Sequence, residues 1–287
     1  MIVFNTLFSG TDFFHLAMSS QIKSRSRINV LGVGIDVLNL ELTEKKCFEK
    51  VGRSGQQGYV TITGVHGVME SQRDPELLKI HNRSFLSTPD GMPLVWLGRW
   101  EGHPAMDRVY GPDLLLQLCR SGLAHGYKHH FFGGAPKVLQ PLCRNLEKLF
   151  PGIQITGMES PPYRTLTEDE LDGFAERLQK EKPHFVWIGL GTPKQEKFMA
   201  SFLEKYSDLT SKWDHGLLMF GVGAAFDFHS FNVKQAPKWF QKNGLEWFYR
   251  LCVDPKRLWR RYSINNSMFL AKIFPAMMGL KEYELKS

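Results

Sequence analysis

The sequence of 287 residues lacks the marks of several common protein classes. Its four cysteines lie far apart, without CxxC or metal-type spacing, which predicts reduced thiols in a reducing compartment. No apolar run approaches the roughly 20 residues of a membrane span, and the first residues carry no basic segment of a secretory signal. We therefore expect a cytoplasmic protein without a transmembrane helix.

Sequence motifs for several kinds of site are also missing. There is no GxxxxGK[ST] phosphate loop, no HExxH zinc motif and no DxD carboxylate pair after a predicted strand. GxG fragments begin at Gly32, Gly189 and Gly221, but none continues to the third glycine of a dinucleotide-binding GxGxxG. These absences argue against a P-loop NTPase and a Rossmann oxidoreductase, and they predict a site without a metal or other cofactor.

Positive charge is in excess at the carboxyl end of the chain. The net charge is +7, and residues 231–287 hold 11 basic and 4 acidic side chains, whereas the preceding residues are balanced. The same segment is rich in aromatic side chains, from Trp239 to Phe274. A basic, aromatic segment favours an anionic partner, such as lipid head groups, a diphosphate or nucleic acid.

Strand and helix patterns alternate along most of the chain. Short apolar runs that end in or near glycine predict strands, and their lack of strict alternation is typical of strands covered on both faces. Helical patterns lie between them, such as 113–126 and the helix that begins with a capping box of Thr167 and Glu170. This order predicts an α/β fold with a Rossmann-like, mostly parallel sheet flanked by helices, and ligands at the carboxyl ends of the strands. The strands are expected at 28–38, 59–65, 129–134, 153–158, 185–191 and 217–223.

A domain boundary is predicted near residues 228–236, after the last glycine-ended strand. The resulting parts are an N-terminal segment (1–27), a Rossmann-like core (28–230) and a basic, aromatic, helical C-terminal appendage (231–287). Helices of the appendage are expected at 236–251, 254–262 and 267–280.

The stretch TPDGMPLVW at 88–96 raises the question of what Asp90 does. Pro-Asp-Gly is a common turn sequence, because proline presets φ and glycine accepts a positive φ. Asp90 is therefore either a turn residue or a carboxylate that the turn directs towards a substrate. Arg108, which precedes a predicted helix, leaves a similar choice between a surface salt bridge and a contact to a phosphate or carboxylate.

Other strand ends offer further candidates for ligand contacts. Gly133 and Gly134 let a ligand approach the backbone at a helix N-terminus, although a tight turn without a ligand has the same sequence. Gln195 lies in GLGTPKQEKF, at the start of another helix, where the alternative is a capped surface helix. His66 follows a glycine-ended strand and is a candidate to face a ligand.

Seven stretches occur together in one order. They are TPDGMPLVW, RVYGPDLL, FFGGAPKV, FPGIQITG, GLGTPKQEKF, GVGAAFDF and APKWFQKNGLEWFYRLCVDPKRLWRRY. In this order, which is far more specific than any single stretch, they resemble the WecG/TagA/CpsF family, glycosyltransferase family 26. The resemblance covers residues from about 30 to 262.

The resemblance implies an inverting glycosyltransferase, a UDP-sugar-dependent hexosyltransferase. Such an enzyme moves a hexose or N-acetylhexosamine, of the ManNAc, ManNAcA or glucose class, from a UDP-sugar to a saccharide on an undecaprenyl-diphosphate-type lipid. The product belongs to cell-surface polysaccharide or exopolysaccharide synthesis. The resemblance also implies a peripheral position at the inner face of the bacterial cell membrane, an anionic membrane surface as partner, self-association, and no nucleic acid.

The resemblance also assigns roles to residues. It implies that Asp90 is the general base, Arg108 an essential arginine and Gln195 the glutamine of the family's PKQE motif. One base is enough for an inverting transfer, and arginines can stabilise the leaving diphosphate. The arginines that match those thought to close over the diphosphate in the family are Arg250, Arg257 and Arg260.

One departure from the family pattern lies close to Asp90. Many members have Thr-x-Asn at the end of the second strand, and by spacing the threonine falls on Ile62 and the asparagine on Gly64. We expect Thr63 or His66 to supply the missing polar contact to the substrate beside Gly64.

Two more departures lie near the predicted boundary. Where many members have Ala-Gly after FDF, this chain has Ser230-Phe231, and Gln235 replaces a usual arginine. These changes bear on the identity of the donor or acceptor sugar more than on the reaction class.

A function of another class also explains the distribution of charge. A protein with an inert α/β core, whose basic tail binds a membrane surface or nucleic acid, would have the same distribution of charge. This alternative leaves unexplained why glycine loops follow nearly every strand and why the PDG and PKQE stretches occur together.

Overall fold

The structure is a computed structural model that describes residues 26–285, apart from the side chains of Arg257 and Arg261. Almost all of the predicted N-terminal segment, 1–27, therefore lies outside the described residues. The described strands are β1 (Arg27–Val30), β2 (Val33–Asp36), β3 (Gln57–Thr63), β4 (Leu86–Pro89), β5 (Lys128–Gly133), β6 (Gln154–Glu159), β7 (Phe185–Gly189) and β8 (Leu217–Gly221).

Six of these strands form one parallel sheet in the order β4-β3-β8-β7-β5-β6. Strands β1 and β2 pair with each other in a separate antiparallel hairpin. All strands of the main sheet point the same way, so the loops after β3, β4, β5, β7 and β8 leave from one edge. Ligands bind at this carboxyl edge in parallel α/β sheets.

Helices follow most of the strands and cover the sheet. They are α1 (Leu40–Val51), α2 (Val65–Ser71), α3 (Pro75–Arg83), α4 (Met92–Trp100), α5 (Gly111–Gly122), α6 (Pro136–Leu149), α7 (Glu168–Glu181), α8 (Lys194–Lys205), α9 (Ala225–His229), α10 (Lys238–Lys242), α11 (Glu246–Val253) and α12 (Pro255–Met277). The predicted capping box starts α7: Thr167 Oγ1 accepts from the Glu170 N–H, and Glu170 accepts from the Thr167 N–H. Within the described range, no helix is long and apolar enough to cross a membrane.

The sheet has an apolar layer on each face. Trp187 and Phe220 pack on one face among side chains of α1, α5 and α6. Val186, Ile188 and Met219, one residue away along the same strands, pack on the other face with α7 and α8. Burying each side chain of this kind contributes about 1.5–3 kcal/mol. The predicted fold class is therefore confirmed, including a helical C-terminal region.

The segment 28–38, predicted as a single strand, is instead the hairpin of β1 and β2. Leu31 and Gly32 both have positive φ, 54° and 86°, which is the backbone conformation of a two-residue hairpin turn. The first GxG fragment therefore makes a turn and does not follow a strand of the main sheet.

Strand β4 was not predicted, because its sequence, LSTP, is short and half polar. Tertiary contacts hold it in place: Ser87 and Thr88 are fully buried, and the Ser87 N–H donates to Asp36 Oδ2 at 2.7 Å. Strand β4 matters for function because Asp90 directly follows it at the carboxyl edge of the sheet.

The helices of the predicted appendage have different bounds from those expected. Gly244, with a φ of 69°, separates α10 from α11, so the helix expected at 236–251 is two helices. The two helices expected at 254–262 and 267–280 are one continuous helix, α12. Phe269 and Ile273 of α12 are buried against the β1–β2 hairpin and helices α2 and α4. The last helix of the chain thus packs on the core.

Candidate active site

The loop after β4 holds Asp90 in a fixed place at the carboxyl edge. The Asp90 N–H donates to the Thr63 carbonyl at 2.8 Å, which ties this loop to the end of β3. A Cβ on Gly64 would lie 2.6 Å from the Asp90 carbonyl oxygen, so glycine is needed for this approach. Gly91 has a φ of 125°, which also favours glycine. The TPDG stretch is therefore a turn that positions the Asp90 carboxylate.

The Asp90 side chain belongs to a cluster of four polar groups. Arg108 donates to Asp90 Oδ1 from Nε at 3.3 Å and from Nη2 at 3.2 Å, and to Glu246 Oε2 from Nη2 at 2.7 Å. Tyr110 donates its hydroxyl to Glu246 Oε1 at 2.8 Å, and the Arg108 guanidinium lies 3.9 Å from the centre of the Tyr110 ring. Arg108 is thus shared by a carboxylate of the core and a carboxylate of α11.

The pKa values of Asp90, Arg108 and Tyr110 are all raised above their usual values. Burial raises the pKa of Asp90; Arg108 and, more weakly, Arg250 oppose this rise, whereas the negative charge of Glu246 adds to it. Burial lowers the pKa of Arg108, but Asp90 and Glu246 outweigh that effect and hold it above its usual range. Burial and the two carboxylates raise the pKa of Tyr110, so its hydroxyl stays protonated. A raised pKa makes Asp90 a better proton acceptor than a surface aspartate, and 27% of its side chain remains exposed.

Two cavities share Arg250 in their walls, and members of the cluster line the second of them. The first, which we call the strand-end cavity, has a volume of about 430 Å³ and lies at the carboxyl ends of β7 and β8. The second, which we call the apolar cleft, has a volume of about 750 Å³ and lies among α4, α11 and α12. Residues of the strand-end cavity include Gly189, Gly191, Gly223, Lys234 and Tyr249. Polar residues of the apolar cleft include His66, Asp90, Arg108 and Glu246.

Gln195 supports the wall of the strand-end cavity from behind. It is 3% exposed, its Oε1 accepts from the Gly191 N–H at 3.1 Å, and its Nε2 donates to Glu196 Oε1 at 3.1 Å. It also lies against Gly223, where a Cβ would be 3.4 Å from Oε1. Gln195 lines neither described cavity itself but holds two glycines that line one of them.

Gly133 and Gly134 let two strand ends approach closely. A Cβ on Gly133 would lie 2.7 Å from the Gly189 carbonyl, and the Gly134 N–H donates to the Gly189 oxygen at 3.1 Å. Their φ values are 120° and 70°. Neither glycine lines the strand-end cavity, so the structure shows them packing β5 against β7, and their contact with substrate stays a prediction.

Thr63 and His66, the candidates to replace the family asparagine, have different surroundings. The Thr63 side chain is fully buried, with its hydroxyl 2.9 Å from Ser87 Oγ and 3.1 Å from His81 Nδ1. Thr63 therefore faces the core and holds the strand end that carries Gly64. His66 lines the apolar cleft, where its Nδ1 lies 2.9 Å from Asn265 Nδ2 of α12. A ligand in the cleft can thus reach His66, whereas the buried side chain of Thr63 is not accessible to a ligand.

The three arginines predicted to close over a diphosphate are placed differently. Arg250 lies between the two cavities, with its guanidinium 5.5 Å from the centre of the Phe228 ring. Arg260 is exposed on α12 and lines neither described cavity. The side chain of Arg257 lies outside what the structure describes. Among residues 26–285, no group of three or more His, Cys, Asp or Glu side chains is placed to hold a metal ion.

Sequence reasoning missed Glu246 and Tyr110. Glu246 is 9% exposed and joins Arg108 to the appendage across 138 residues of sequence. A signal was available, since Glu246 is one of four acidic residues in a segment that is otherwise strongly basic. Tyr110 follows Arg108 by two residues but had no feature that marked it as part of a site.

Comparison with known proteins shows the family of this chain. The family model described as "Glycosyl transferase WecG/TagA/CpsF family" matches residues 28–283. A protein of Bacillus spizizenii named N-acetylglucosaminyldiphosphoundecaprenol N-acetyl-beta-D-mannosaminyltransferase is 30% identical over 192 residues, which are 67% of this chain and 69% of that protein. A protein of the same name from Bacillus subtilis is 30% identical over 194 residues, which are 66% of this chain and 68% of that protein. The chain therefore belongs to the WecG/TagA/CpsF family and is a glycosyltransferase.

Proposed function

We propose that this glycosyltransferase moves an N-acetylmannosamine-class sugar from a UDP-sugar to a saccharide carried on a polyisoprenyl diphosphate, with inversion and with Asp90 as the general base. The names of the two Bacillus relatives support the sugar class and the lipid-linked acceptor. The observation that carries the proposal is the meeting of two cavities at Arg250, with Asp90 and Arg108 in one of them. The two cavities share Arg250, a cation that suits a reaction between two anionic substrates.

The strand-end cavity is the proposed site of the nucleotide diphosphate. Its wall contains Gly191 and Gly223, both with positive φ, so the backbone there carries no side chains that would keep a ligand away. Lys234 and Arg250 supply positive charge on the side of the appendage. These cations would stabilise the negative charge that develops on the leaving UDP, which is the electrostatic role such groups have in transfer reactions.

In this proposal, Asp90 takes the proton of the acceptor hydroxyl. Both contacts from Arg108 go to Oδ1, and among the described residues no hydrogen bond is made to Oδ2. In the proposed step, the acceptor oxygen attacks the anomeric carbon, the bond from that carbon to the UDP oxygen breaks, and the hydroxyl proton passes to Oδ2. Arg108 holds the carboxylate in position through Oδ1 and makes its shorter contact to Glu246.

The proposed place of work is the inner face of the cell membrane, with an anionic leaflet as partner. Large apolar side chains of the appendage stay exposed, including Trp239 at 62%, Phe248 at 47% and Trp259 at 59%. Basic residues surround them in the sequence, as in segments that lie at a lipid surface. Membership of a glycosyltransferase family favours the enzyme over the alternative of an inert binding module.

A donor screen tests this proposal. The protein is incubated with UDP-ManNAc, UDP-ManNAcA, UDP-glucose or UDP-GlcNAc and a synthetic GlcNAc-diphosphate-lipid acceptor, and the product is detected by mass spectrometry. We expect transfer from UDP-ManNAc and a loss of about 10²–10⁴-fold in kcat for Asp90→Asn, the usual contribution of a general base.

Asp113→Asn is the matched control, because it removes the same charge from a side chain that is 39% exposed and bonded to Lys238 at 3.6 Å. Its kcat should be close to that of the wild type. Full activity of Asp90→Asn would remove the proposed base, and the absence of transfer from every UDP-sugar would contradict the proposed donor.

A further inference from the structure

The apolar cleft continues away from Asp90 along one helix. Met92, two residues after Asp90, begins α4, and Pro93, Trp96 and Trp100 line the cleft farther along that helix. With a rise of 1.5 Å per residue, about 12 Å of helix separates Met92 from Trp100. The apolar wall thus starts beside the carboxylate and ends at a tryptophan that is 63% exposed.

Helix α12 supplies a second wall, which changes in character along its length. The lining residues recur at the spacing of a single helix face. Near the start of the helix they are polar: Tyr262, Asn265 and Asn266. Farther on they are apolar: Phe269, Leu270, Ile273 and Met277. The cleft therefore has a polar end, with Asp90, Arg108 and Arg250, and an apolar remainder.

We propose that the apolar cleft binds the first part of the polyisoprenyl chain of the acceptor, next to the saccharide whose hydroxyl faces Asp90. This inference rests on the proposed function, because it takes a lipid-linked saccharide as the acceptor. The arginines at the polar end complement the charge of a diphosphate, and the apolar walls of α4 and α12 complement a hydrocarbon. A single ligand with a polar sugar-diphosphate end and a hydrocarbon end matches a cleft with a polar end and an apolar remainder.

The open end of the cleft supports this occupant over a protein partner. Leu270 and Trp100 line the cleft and are 65% and 63% exposed, and the nearby end of α12 also exposes Phe274 and Met278 at 66% and 62%. A chain that leaves the cleft between Leu270 and Trp100 would pass directly into a lipid leaflet. The alternative occupant is the acyl chain of any membrane phospholipid. Such a chain would not need to be joined to a sugar at Asp90, and the experiment is designed to distinguish it from the acceptor chain.

The experiment compares two acceptors and two variants at a fixed detergent concentration. Both acceptors are GlcNAc diphosphates, one with a polyprenyl chain of many isoprene units and one with a single isoprene unit. Leu270→Lys places a charge in the cleft, and Phe274→Lys places the same charge one turn later on the same helix, at equal exposure but outside the cleft lining. Thermal unfolding confirms that both variants are folded.

For the wild type we expect a kcat/KM at least about tenfold higher with the long acceptor, the scale that lost apolar contacts reach in a pocket. Leu270→Lys should lower this long-to-short ratio about tenfold through KM, whereas Phe274→Lys should leave the ratio unchanged. A second pair, Trp100→Ala in the cleft and Trp259→Ala outside it, should behave in the same way.

Equal effects of Leu270→Lys and Phe274→Lys would show that general contact with lipid is sufficient, and would overturn the inference. If the wild type had the same kcat/KM with both acceptors, the inference would also be overturned. The proposed function would still hold in that case, because sugar transfer would have been observed. If the wild type transferred sugar to neither acceptor from any UDP-sugar, the proposed function would fail, and the inference with it.

Discussion

Glu246→Gln tests how strongly α11 is held on the core. Glutamine keeps the shape of the side chain, and it can still accept from Arg108 and donate to the Tyr110 oxygen. The 2.7 Å bond from Arg108 loses its ionised acceptor but keeps its charged donor, and the 2.8 Å bond from Tyr110 becomes a neutral one. Charged hydrogen bonds contribute about 1.5–3 kcal/mol and neutral ones about 0.5–1.5, so the Tyr110 bond loses about 1 kcal/mol, and the loss of the ion pair with Arg108 adds about 1 more, for about 2 in total. Because Glu246 is 9% exposed, solvent screens little of this difference.

About 2 kcal/mol corresponds to about a 30-fold shift in the equilibrium between docked and undocked α11. Limited proteolysis of the segment between α9 and α11 measures this shift when opening is fast relative to cleavage, because cleavage then follows the open population. Lys238→Gln is the control: it breaks an appendage-to-core pair with Asp113 at 3.6 Å, but Lys238 is 69% exposed, and exposed pairs contribute about 0–1 kcal/mol. An unchanged cleavage rate for Glu246→Gln, or an equal rise for both variants, would refute the reasoning.

The same variant gives a second, independent readout in the pH profile. Glu246 raises the pKa of Asp90, so its neutralisation should lower that pKa. The acidic limb of kcat/KM reports the pKa of the base in the free enzyme, and we expect it to move to lower pH in Glu246→Gln. A limb that stays in place would show that Asp90 is not the titrating base or that Glu246 does not act on it.

Four more variants test the surroundings of Asp90 and the backbone at Phe231. Arg250→Gln removes a cation that lowers the pKa of Asp90, so the acidic limb of kcat/KM should move to higher pH, opposite to Glu246→Gln. Folding raises the pKa of Asp90, so the ionised carboxylate destabilises the fold once the pH exceeds the pKa of an unfolded aspartate. Asp90→Asn should therefore have a Tm equal to or above that of the wild type at neutral pH, and this advantage should disappear in strong acid. Gly64→Ala puts a Cβ 2.6 Å from the Asp90 carbonyl oxygen and should cost about 1–3 kcal/mol of unfolding free energy in a urea titration, with a fall in kcat. Phe231→Gly relieves a φ of 59° at a residue that is 78% exposed and should add about 1 kcal/mol, and an unchanged or lower midpoint would contradict this.

Local sequence patterns predicted most of the sheet, because five of its strands are apolar runs that need no tertiary information. The exception, β4, has Ser87 and Thr88 in its centre and is held by neighbours such as Asp36, which a local pattern does not contain. The resemblance to the WecG/TagA/CpsF family is confirmed by the match over 28–283 and extends past the 262 seen from motifs alone. At one departure from the family pattern, Phe231 occupies a left-handed position that glycine would adopt without strain.

The site was predicted as separate residues but not as an arrangement. Asp90 and Arg108 were both expected, and the structure places them in contact. Glu246 was missed because its partner lies 138 residues away, a distance that no motif spans. Thr63 was expected at the substrate because it precedes Gly64 in sequence, but successive side chains of a strand point to opposite faces, and that of Thr63 is buried.

The position of Glu246 and Arg250 makes the pKa of Asp90, the proposed base, dependent on the appendage. They are four residues apart on α11 and therefore share one face of the helix. Their effects on the pKa of Asp90 are opposite, and that of Glu246 is the larger of the two, while burial raises this pKa most of all. If α11 moved away, Asp90 would lose part of its burial and all of the influence of Glu246, but it would keep Arg108, which belongs to the core. Its pKa would then fall and it would become a weaker base. Docking of α11 would thus complete the walls of both cavities and raise the pKa of Asp90 in a single event, and with Asp90 as the proposed base an open site would be a poorly catalytic one.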